Sequence, residues 1–336
     1  MSVGSPIESR PATLAVPSQP QSGDPPPPAT PPVRWTVLEI VRWTTTRFSQ
    51  RGLSSPRLDA EILAAHALGI TRVQLYVQYD RPLEAAELAG MRELVKRRQA
   101  GESVAYIIGK KEFFGIELGV DARVLVPRPD TETLVDEALA RLAATGDMGE
   151  PLPAELPHPP RALRVADVGT GSGAVAIAIA KTGVRAAAQA RPALEVIATD
   201  ISPDALVVAR ANADRHGTAI TFVEGDLDAP LAALAPFDVI AANLPYIASA
   251  DIDGLPPEVR VEPRLALDGG ADGLELVRRL VAAAPELLRA GGSLALEIGA
   301  GQAAATADLL SAAGFTDIRR RRDLGEIERV VSGVKA

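Results

Sequence analysis

The 336-residue chain contains no cysteine and only three histidines. Without thiols there are no disulfides, no thiolate zinc site and no cysteine nucleophile. The histidines at 66, 158 and 216 are far apart in sequence, so we expect no metal site. No apolar run reaches the roughly 18 residues that span a bilayer, and the amino terminus lacks the basic-then-apolar pattern of a secretory signal. We therefore expect a cytoplasmic protein that does not act at a membrane.

Basic side chains are also in deficit. Lysine and arginine number 35 against 43 aspartates and glutamates, which gives a formal charge of −8. Proteins whose affinity depends on neutralising many phosphates are usually basic, so we expect no direct nucleic-acid partner. The deficit is uneven, because residues 34–108 carry a net charge of +3 and residues 109–336 carry −10.

Proline marks the first division of the chain. Ten of the 28 prolines lie in residues 1–33, where large apolar residues are scarce, and this composition predicts a disordered tail. Residues 34–108 have helical periodicity and predict a small all-helical domain. Within it, Ser55 and Pro56 are typical of a helix start, and a further helix is predicted from about Glu84.

Residues 109–336 predict an α/β domain. Alternating apolar residues around positions 119–121 predict a β-hairpin in a linker over 109–130, and residues 145–160 form a proline-rich loop. Beyond the loop, strand-like and helix-like segments alternate, which predicts a doubly wound, mostly parallel sheet. A final antiparallel hairpin would bring this sheet to seven strands.

A glycine-rich loop follows the strand RVADV of this predicted sheet. Glycines there allow a sharp turn and a close approach to a ligand. The spacing G-x-G-x-G is tighter than the dinucleotide pattern, and Asp200 ends the next strand, where a ribose diol can be bound. These features favour S-adenosylmethionine, with a nicotinamide cofactor as the alternative. The candidate residues at this loop are Asp167, Gly169, Thr170, Gly171, Ser172 and Gly173.

The strand FDVIAAN ends in Asn243-Leu244-Pro245-Tyr246. A polar residue, a proline and an aromatic ring at the carboxyl end of a central strand lie where ligands bind in such sheets. An ordinary loop turn is the alternative, because Asn and Pro are common in turns.

Here the chain resembles a known family. The pattern [ND]-P-P-Y marks S-adenosylmethionine-dependent methyltransferases that modify an amino group conjugated to a planar system. From about residue 35 to residue 333, the chain is similar to the methyltransferases called HemK or PrmC. These are the protein-(glutamine-N(5)) methyltransferases that act on peptide chain release factors. The segments that carry the resemblance are GESVAYIIGKKEFFGIEL, VLVPRPDTETLVDEAL, DVGTGSG, ATDISPDAL, NLPYI, EPRLALDGGADGL and RDLGEIERVV.

The resemblance implies a seven-stranded Rossmann-like methyltransferase fold and roles for individual residues. The loop from Gly169 to Gly173 would hold the methionine end of S-adenosylmethionine, and Asp200 would bind its ribose. Asp226 and Leu227 would border the adenine. The segment Asn243 to Tyr246 would bind the glutamine of the Gly-Gly-Gln loop of a release factor, with Asn243 also contacting the cofactor side.

Elementary chemistry agrees with these implied roles. Two acceptors, Asn243 Oδ1 and the Leu244 carbonyl, could bind both hydrogens of the target amide, and Tyr246 could stack on its plane. Glu112, Phe113 and Phe114 could cover the target loop, and the helical domain could hold the release factor. Leu244 departs from the family pattern, which has proline there, so we expect activity with a less rigid loop.

Three other functions stay open at this point. One is methylation of a glutamine in a large-subunit ribosomal protein, the activity of a sister family. Another is adenine-N(6) methylation of nucleic acid, against which the acidic domain argues. The third is a non-catalytic module that binds S-adenosylmethionine as a regulator.

Overall fold

A computed structural model of the protein describes Met1 and residues 35–145, 161–187 and 193–336, without the side chains of 183–187. Apart from Met1, the tail predicted over 1–33 lies outside the described residues, as does nearly all of the loop predicted over 145–160.

The amino-terminal part of the described chain is helical. The Thr36 hydroxyl accepts from the Glu39 N–H while the Glu39 carboxylate accepts from the Thr36 N–H, a capping box that begins the first helix. The second helix begins at Pro56, directly after Ser55, as the sequence predicts. The helices are α1 (Val37–Gln50), α2 (Pro56–Leu68), α3 (Arg72–Val77), α4 (Ala85–Gln99) and α5 (Val104–Ile108).

These helices enclose their own apolar core, which includes Phe48, Leu63 and Met91. They are also joined to the rest of the protein. The buried Arg98 guanidinium donates to Asp59 at 2.8 Å and lies 3.7 Å from Glu258. The boundary between the two predicted domains, at residue 108, stays a prediction.

A β-hairpin follows α5, formed by β1 (Lys110–Phe113) and β2 (Ile116–Gly119). Its turn is Phe114–Gly115, with φ values of 50° and 68°, so the hairpin lies within the predicted linker but is not centred on positions 119–121. A two-residue turn of this kind usually carries Asn-Gly or Asp-Gly, and phenylalanine hides the signal. The turn is instead held by Glu132, whose carboxylate accepts from the Phe114 N–H at 2.8 Å.

The carboxy-terminal part is built on a seven-stranded sheet with the order β5-β4-β3-β6-β7-β9-β8. The strands are β3 (Leu163–Val168), β4 (Leu194–Asp200), β5 (Ile220–Glu224), β6 (Phe237–Asn243), β7 (Leu288–Glu297), β8 (Phe315–Arg322) and β9 (Glu328–Lys335). The pairings among β3 to β7 are parallel, and those of β9 with β7 and β8 are antiparallel. The predicted α/β fold with a carboxy-terminal hairpin is therefore confirmed.

Helices cover both faces of this sheet. They are α6 (Glu132–Ala144), α7 (Ala174–Ala187), α8 (Pro203–His216), α10 (Glu275–Leu287) and α11 (Ala303–Ala312), and the short α9 (Pro257–Arg260) lies in the segment between β6 and α10. One apolar core contains residues of α6 and α7, and the other contains residues of α10 and α11. Burial on both faces explains why β6 is apolar along nearly its whole length.

The strand order creates a switch point between β3 and β6. The chain runs from β3 outward through β4 to β5, then returns to add β6 and β7 on the other side of β3. Loops that leave adjacent strands in opposite directions open a crevice at the carboxyl ends of these strands. The glycine-rich loop after β3 and Asn243 at the end of β6 flank this crevice.

Within the described ranges, no helix is both long and apolar enough to cross a membrane.

A buried ion pair links α6 to the carboxy-terminal hairpin. Arg141, whose side chain is 1% exposed, donates to the fully buried Glu137 at 2.9 Å. Arg141 also donates to Asp317 at 2.7 Å, and Ser332 donates to Glu137 at 2.6 Å. The two charges are thus hydrogen-bonded to each other and to residues of β8 and β9.

We expect Arg141→Met to lower the free energy of unfolding by about 3–5 kcal/mol, because it removes the buried cation beside the Glu137 charge. Among the described residues, Glu137 then keeps only the 3.8 Å contact with the exposed Arg321 and the bond from the Ser332 hydroxyl. Urea denaturation followed by circular dichroism measures the loss. The matched control is the double variant Glu137→Met/Arg141→Met, which removes both charges and is expected to recover most of the stability. A double variant as unstable as Arg141→Met would contradict the explanation.

Candidate active site

The glycine-rich loop turns sharply between β3 and α7. Gly169, Gly171 and Gly173 have φ values of 73°, 55° and 82°, a region that side chains with a Cβ disfavour. A Cβ at Gly173 would lie 3.1 Å from Ile177 and 3.3 Å from Ala209, so this glycine also lets α7 pack against α8. A Cβ at Gly171 would meet no atom within 4 Å, because this glycine borders the crevice.

Asp167 holds the loop from inside. Its carboxylate accepts from the Thr170 hydroxyl at 2.6 Å and from the Ala176 N–H at 3.1 Å, and the residue is 2% exposed. Burial raises the pKa of Asp167 to about 6, against the opposing effect of these two hydrogen bonds. The carboxylate thus ties the loop to the first turn of α7. A direct contact between Asp167 and a cofactor stays a prediction.

Asp200, at the end of β4, faces the crevice. One carboxylate oxygen accepts from the Gly171 N–H at 2.8 Å, and the other accepts from the Ser202 N–H at 2.9 Å. Burial raises the pKa of Asp200, and these backbone donors lower it in part. A carboxylate has about four acceptor sites, so Asp200 can still accept hydrogen bonds from a ligand.

The crevice is a cleft that is open to solvent on one side, with an empty volume of about 880 Å³ including that open part. It runs from Gly171 and Asp200 to Asp226 and Leu227, and Asn243 closes its inner end. The predicted loop residues Thr170 and Ser172 line a second, smaller cavity that shares Gly169, Gly171 and Asn243 with the cleft. Asn243 therefore stands where the two cavities meet.

The far end of the cleft is formed by the loop after β5. Leu227 is buried and has a φ of 47°, an unusual backbone conformation for a branched side chain and one that often marks a ligand site. Its neighbour Asp226 is exposed and accepts a hydrogen bond from Arg279 at 2.6 Å. The structure thus brings both predicted residues to the cleft.

Asn243 is oriented by α6. Its Nδ2 donates to the buried Thr131 hydroxyl at 3.1 Å. Because the amide nitrogen is engaged there, Oδ1 is the atom left to accept from a ligand.

Leu244 is 3% exposed and packs into the core that contains Val168 and Ile240. Its Cδ2 lies 3.5 Å from the position of a Cβ on Gly169. Packing therefore restrains the segment where the family pattern uses a proline. Among the described residues nothing donates to the Leu244 carbonyl, so this acceptor is available at the cleft.

Pro245 lines the cleft, whereas Tyr246 does not. The Tyr246 ring lies 3.2 Å from the position of a Cβ on Gly299, and its carbonyl accepts from the Gln302 side chain at 3.0 Å. Burial raises the pKa of Tyr246, and the nearby Glu297 adds to the effect. Stacking of Tyr246 on a substrate amide stays a prediction.

Sequence reasoning missed two residues beside Asn243. Thr131 precedes α6, and Glu297 ends β7 in register with Asn243. Glu297 is 1% exposed, and burial raises its pKa to about 7. The argument from the carboxyl ends of parallel strands, applied to the strand SLALEIG, would have identified Glu297.

The hairpin residues expected to cover a target loop are only partly placed for it. Phe113 is 1% exposed and belongs to the sheet core, so its expected role is wrong. An inward position is what the alternation along β1 requires. Glu112 is exposed and Phe114 is half-buried. Arg128, which lines the smaller cavity, donates to the buried Glu262 at 2.7 Å.

The segment after Asn243 is supported by residues 262–275. Ile247 donates to the Leu267 carbonyl at 3.1 Å and accepts from the Gly269 N–H at 2.8 Å. A Cβ on Gly269 would lie 2.6 Å from the Pro245 carbonyl oxygen, closer than real Cβ contacts allow.

We expect Gly269→Ala to displace the segment 245–247 and to lower the melting temperature, because backbone rather than a flexible side chain blocks the added methyl. Differential scanning calorimetry measures the shift, and hydrogen exchange at Ile247 reports the local effect. The control is Gly254→Ala, where a Cβ meets nothing within 4 Å. Equal, small changes in both variants would contradict the expected clash.

Two family models match the chain. The description of the first is PrmC N-terminal domain, over residues 39–109, and that of the second is methyltransferase domain, over residues 165–260. A solved ribosomal protein L11 methylase from Lactobacillus delbrueckii aligns with a TM-score of 0.41 and 23% identity over 64% of this chain and 82% of that chain.

Curated relatives are much more similar. A release factor glutamine methyltransferase of Geobacter sulfurreducens is 42% identical over 303 residues, which cover 90% of this chain and 98% of the relative. That of Rhodopirellula baltica is 40% identical over 306 residues, covering 90% and 97%. The chain belongs to the release factor glutamine methyltransferase family.

Proposed function

We propose that the protein transfers the methyl group of S-adenosylmethionine to the side-chain amide nitrogen of the glutamine in the Gly-Gly-Gln loop of peptide chain release factors. The observation that carries this proposal is the position of Asn243, at the end of a cleft suited to the cofactor and with Oδ1 left to accept. We infer the release-factor substrate from the family to which the chain belongs.

The cleft suits S-adenosylmethionine better than a dinucleotide. Asp200 has acceptor sites left for the two ribose hydroxyls. The same carboxylate occupies the Gly171 N–H, a loop donor that a pyrophosphate would need. Asp226 and Leu227 stand where the adenine would end. The loop from Gly169 to Gly173 would hold the methionine end.

The chemistry required of the protein is to activate a weak nucleophile. An amide nitrogen is a poor nucleophile because its lone pair is delocalised into the carbonyl. Asn243 Oδ1 and the Leu244 carbonyl would accept from its two hydrogens and favour the positive charge that develops on nitrogen. When bound, S-adenosylmethionine supplies an electrophilic methyl group. By holding the amide in line with it, the site could contribute roughly 7–11 kcal/mol to lowering the barrier.

The helical part would hold the body of the release factor. It carries a net charge of +3, and α3 exposes three large side chains, Val73, Tyr76 and Val77, by 72%, 55% and 72%. Exposed apolar groups of this size on one short helix suit a protein partner. The charge of −10 on residues 109–336 supports a protein substrate over nucleic acid, in the cytoplasm, where translation ends.

Incubation with radiolabelled S-adenosylmethionine tests the function. The acceptors, each in a separate reaction, are a purified release factor, the same factor with its target glutamine replaced by alanine, large-subunit ribosomal proteins, and RNA or DNA. We expect label on the intact release factor alone, with mass spectrometry placing the methyl group on the glutamine amide. Label on a ribosomal protein or on nucleic acid would favour those alternatives, and cofactor binding without transfer would favour a regulatory module.

Asp200→Asn is expected to weaken S-adenosylmethionine binding about tenfold, because an amide offers fewer acceptor sites than a carboxylate and its NH₂ opposes a backbone donor. Isothermal titration calorimetry measures the dissociation constant. The control is Asp228→Asn, which removes the same charge from the neighbouring loop without lining the cleft. An equal loss in both variants would mean that general charge, rather than a contact at the ribose, sets the affinity.

A further inference from the structure

Three polar residues, two of them buried, meet beside the inner end of the cleft and come from three different parts of the fold. Asn243 ends β6, Glu297 ends β7 in register with it, and Thr131 precedes α6. Glu297 is 1% exposed and Thr131 is 4% exposed. Burying these groups is unfavourable unless they bond to one another.

One hydrogen bond among them sets the direction of the Asn243 amide. Its Nδ2 donates to Thr131 Oγ1 at 3.1 Å, so the threonine hydroxyl acts as acceptor there. The hydroxyl has one hydrogen of its own to donate. The Glu297 carboxyl faces both Thr131 and Asn243, and these groups favour its charged form.

One oxygen of the Glu297 carboxyl makes no hydrogen bond within the described part of the protein. This oxygen, Oε2, is buried. The Thr131 hydroxyl faces the Glu297 carboxyl and has one hydrogen to donate, so the ionised carboxyl can accept it. Thr131 is then left to accept from Asn243.

We propose that Glu297, acting through Thr131, is the positioning residue that turns Oδ1 of Asn243 toward the substrate amide. The proposal rests on the proposed function, since the need for an acceptor at this atom comes from the glutamine amide. In the opposite arrangement the hydroxyl would donate to Oδ1, and Nδ2 would face the substrate and repel its hydrogens.

The protonation state of Glu297 selects between the two arrangements. As a carboxylate, Glu297 accepts from the Thr131 hydroxyl, and Oδ1 of Asn243 then faces the substrate. As a neutral acid, Glu297 can donate to Thr131, and both hydrogen bonds then run in the opposite direction. Burial is the main cause that raises the pKa of Glu297 to about 7, with Asp130 adding to it and Arg329 opposing it. Tyr246 also faces Glu297. Loss of the proton favours the productive form, so turnover is expected to rise with pH through about 7.

The first test uses Thr131→Val, which removes the hydroxyl at nearly constant shape. The Thr131 side chain makes no capping bond to α6, so the helix keeps its start. We expect kcat for release-factor methylation to fall about a hundredfold from misorientation of Asn243, with little change in the KM for S-adenosylmethionine. Thr131→Ser restores the hydroxyl and is expected to recover most of the lost kcat.

The matched control is Thr306→Val in α11. Thr306 is fully buried, and its hydroxyl has no hydrogen-bond partner among the described residues. Removing that hydroxyl is expected to leave kcat unchanged. A similar fall in kcat for Thr306→Val and Thr131→Val, or no rescue by Thr131→Ser, would overturn the proposal.

The second test is the pH profile of Glu297→Gln, whose side chain does not titrate. The wild-type rise in kcat through about pH 7 is expected to disappear in this variant. An inflection from Asp167, whose pKa is about 6, would persist in both proteins. A wild-type limb near pH 7 that survives in Glu297→Gln would overturn the role of this carboxyl.

A readout without substrate separates this proposal from the proposed function. The side-chain amide signals of Asn243, assigned by selective asparagine labelling and the loss of signal in Asn243→Asp, are followed by NMR between pH 5 and 9. We expect them to titrate in the wild type and to stay constant in Glu297→Gln. Signals that titrate in a protein that methylates no glutamine would support the positioning role of Glu297 and refute the proposed methyltransferase function. Signals that do not move in the wild type would refute the positioning role of Glu297.

Discussion

The parallel pairing of β3 with β6 is the constraint on which the site depends. Val168 and Ala242 are partners in this pairing. The residues that follow them, the glycine-rich loop and Asn243, therefore leave the sheet side by side at the switch point. A shift of one residue in register would turn the side chains of β6 to the opposite face. The individual side chains of β6 are packed into an apolar core on each face and would have to be repacked in both, so the same packing that stabilises the sheet aligns the two halves of the cleft.

Three carboxyl groups at this edge of the sheet differ in role because they differ in surroundings. Asp167 lines the smaller cavity, and one of its oxygens accepts from both the Thr170 hydroxyl and the Ala176 N–H, which ties the loop to α7. Asp200 is bound by two backbone donors but borders the cleft, so it keeps acceptor sites for a ligand. Glu297 is as buried as Asp167, and its Oε2 has no hydrogen-bond partner among the described residues. The chain thus uses one carboxyl to hold backbone, one to bind and one to orient a neighbour.

Local patterns were enough to predict much of the architecture and the cleft. The alternation of strand-like and helix-like segments predicted the doubly wound, mostly parallel sheet, and the spacing of the glycines with Asp200 located the cleft. The centre of the hairpin was not predicted, because Phe114 adopts a positive φ that Glu132 supports from eighteen residues away, a partner that no local pattern shows. Thr131 was missed for the same reason, since its link to Asn243 joins residues distant in sequence. Leu244 looked like a weakened proline site until its side chain was found in the core.

The central claim is that Asn243 Oδ1 and the Leu244 carbonyl accept from the glutamine amide. A crystal structure of the protein with S-adenosylhomocysteine and a peptide containing Gly-Gly-Gln tests it most directly. We expect the glutamine amide nitrogen within about 2.7–3.2 Å of both oxygens, with Asn243 Nδ2 still on Thr131. A glutamine amide bound elsewhere, or one that faces Asn243 Nδ2, would contradict the account.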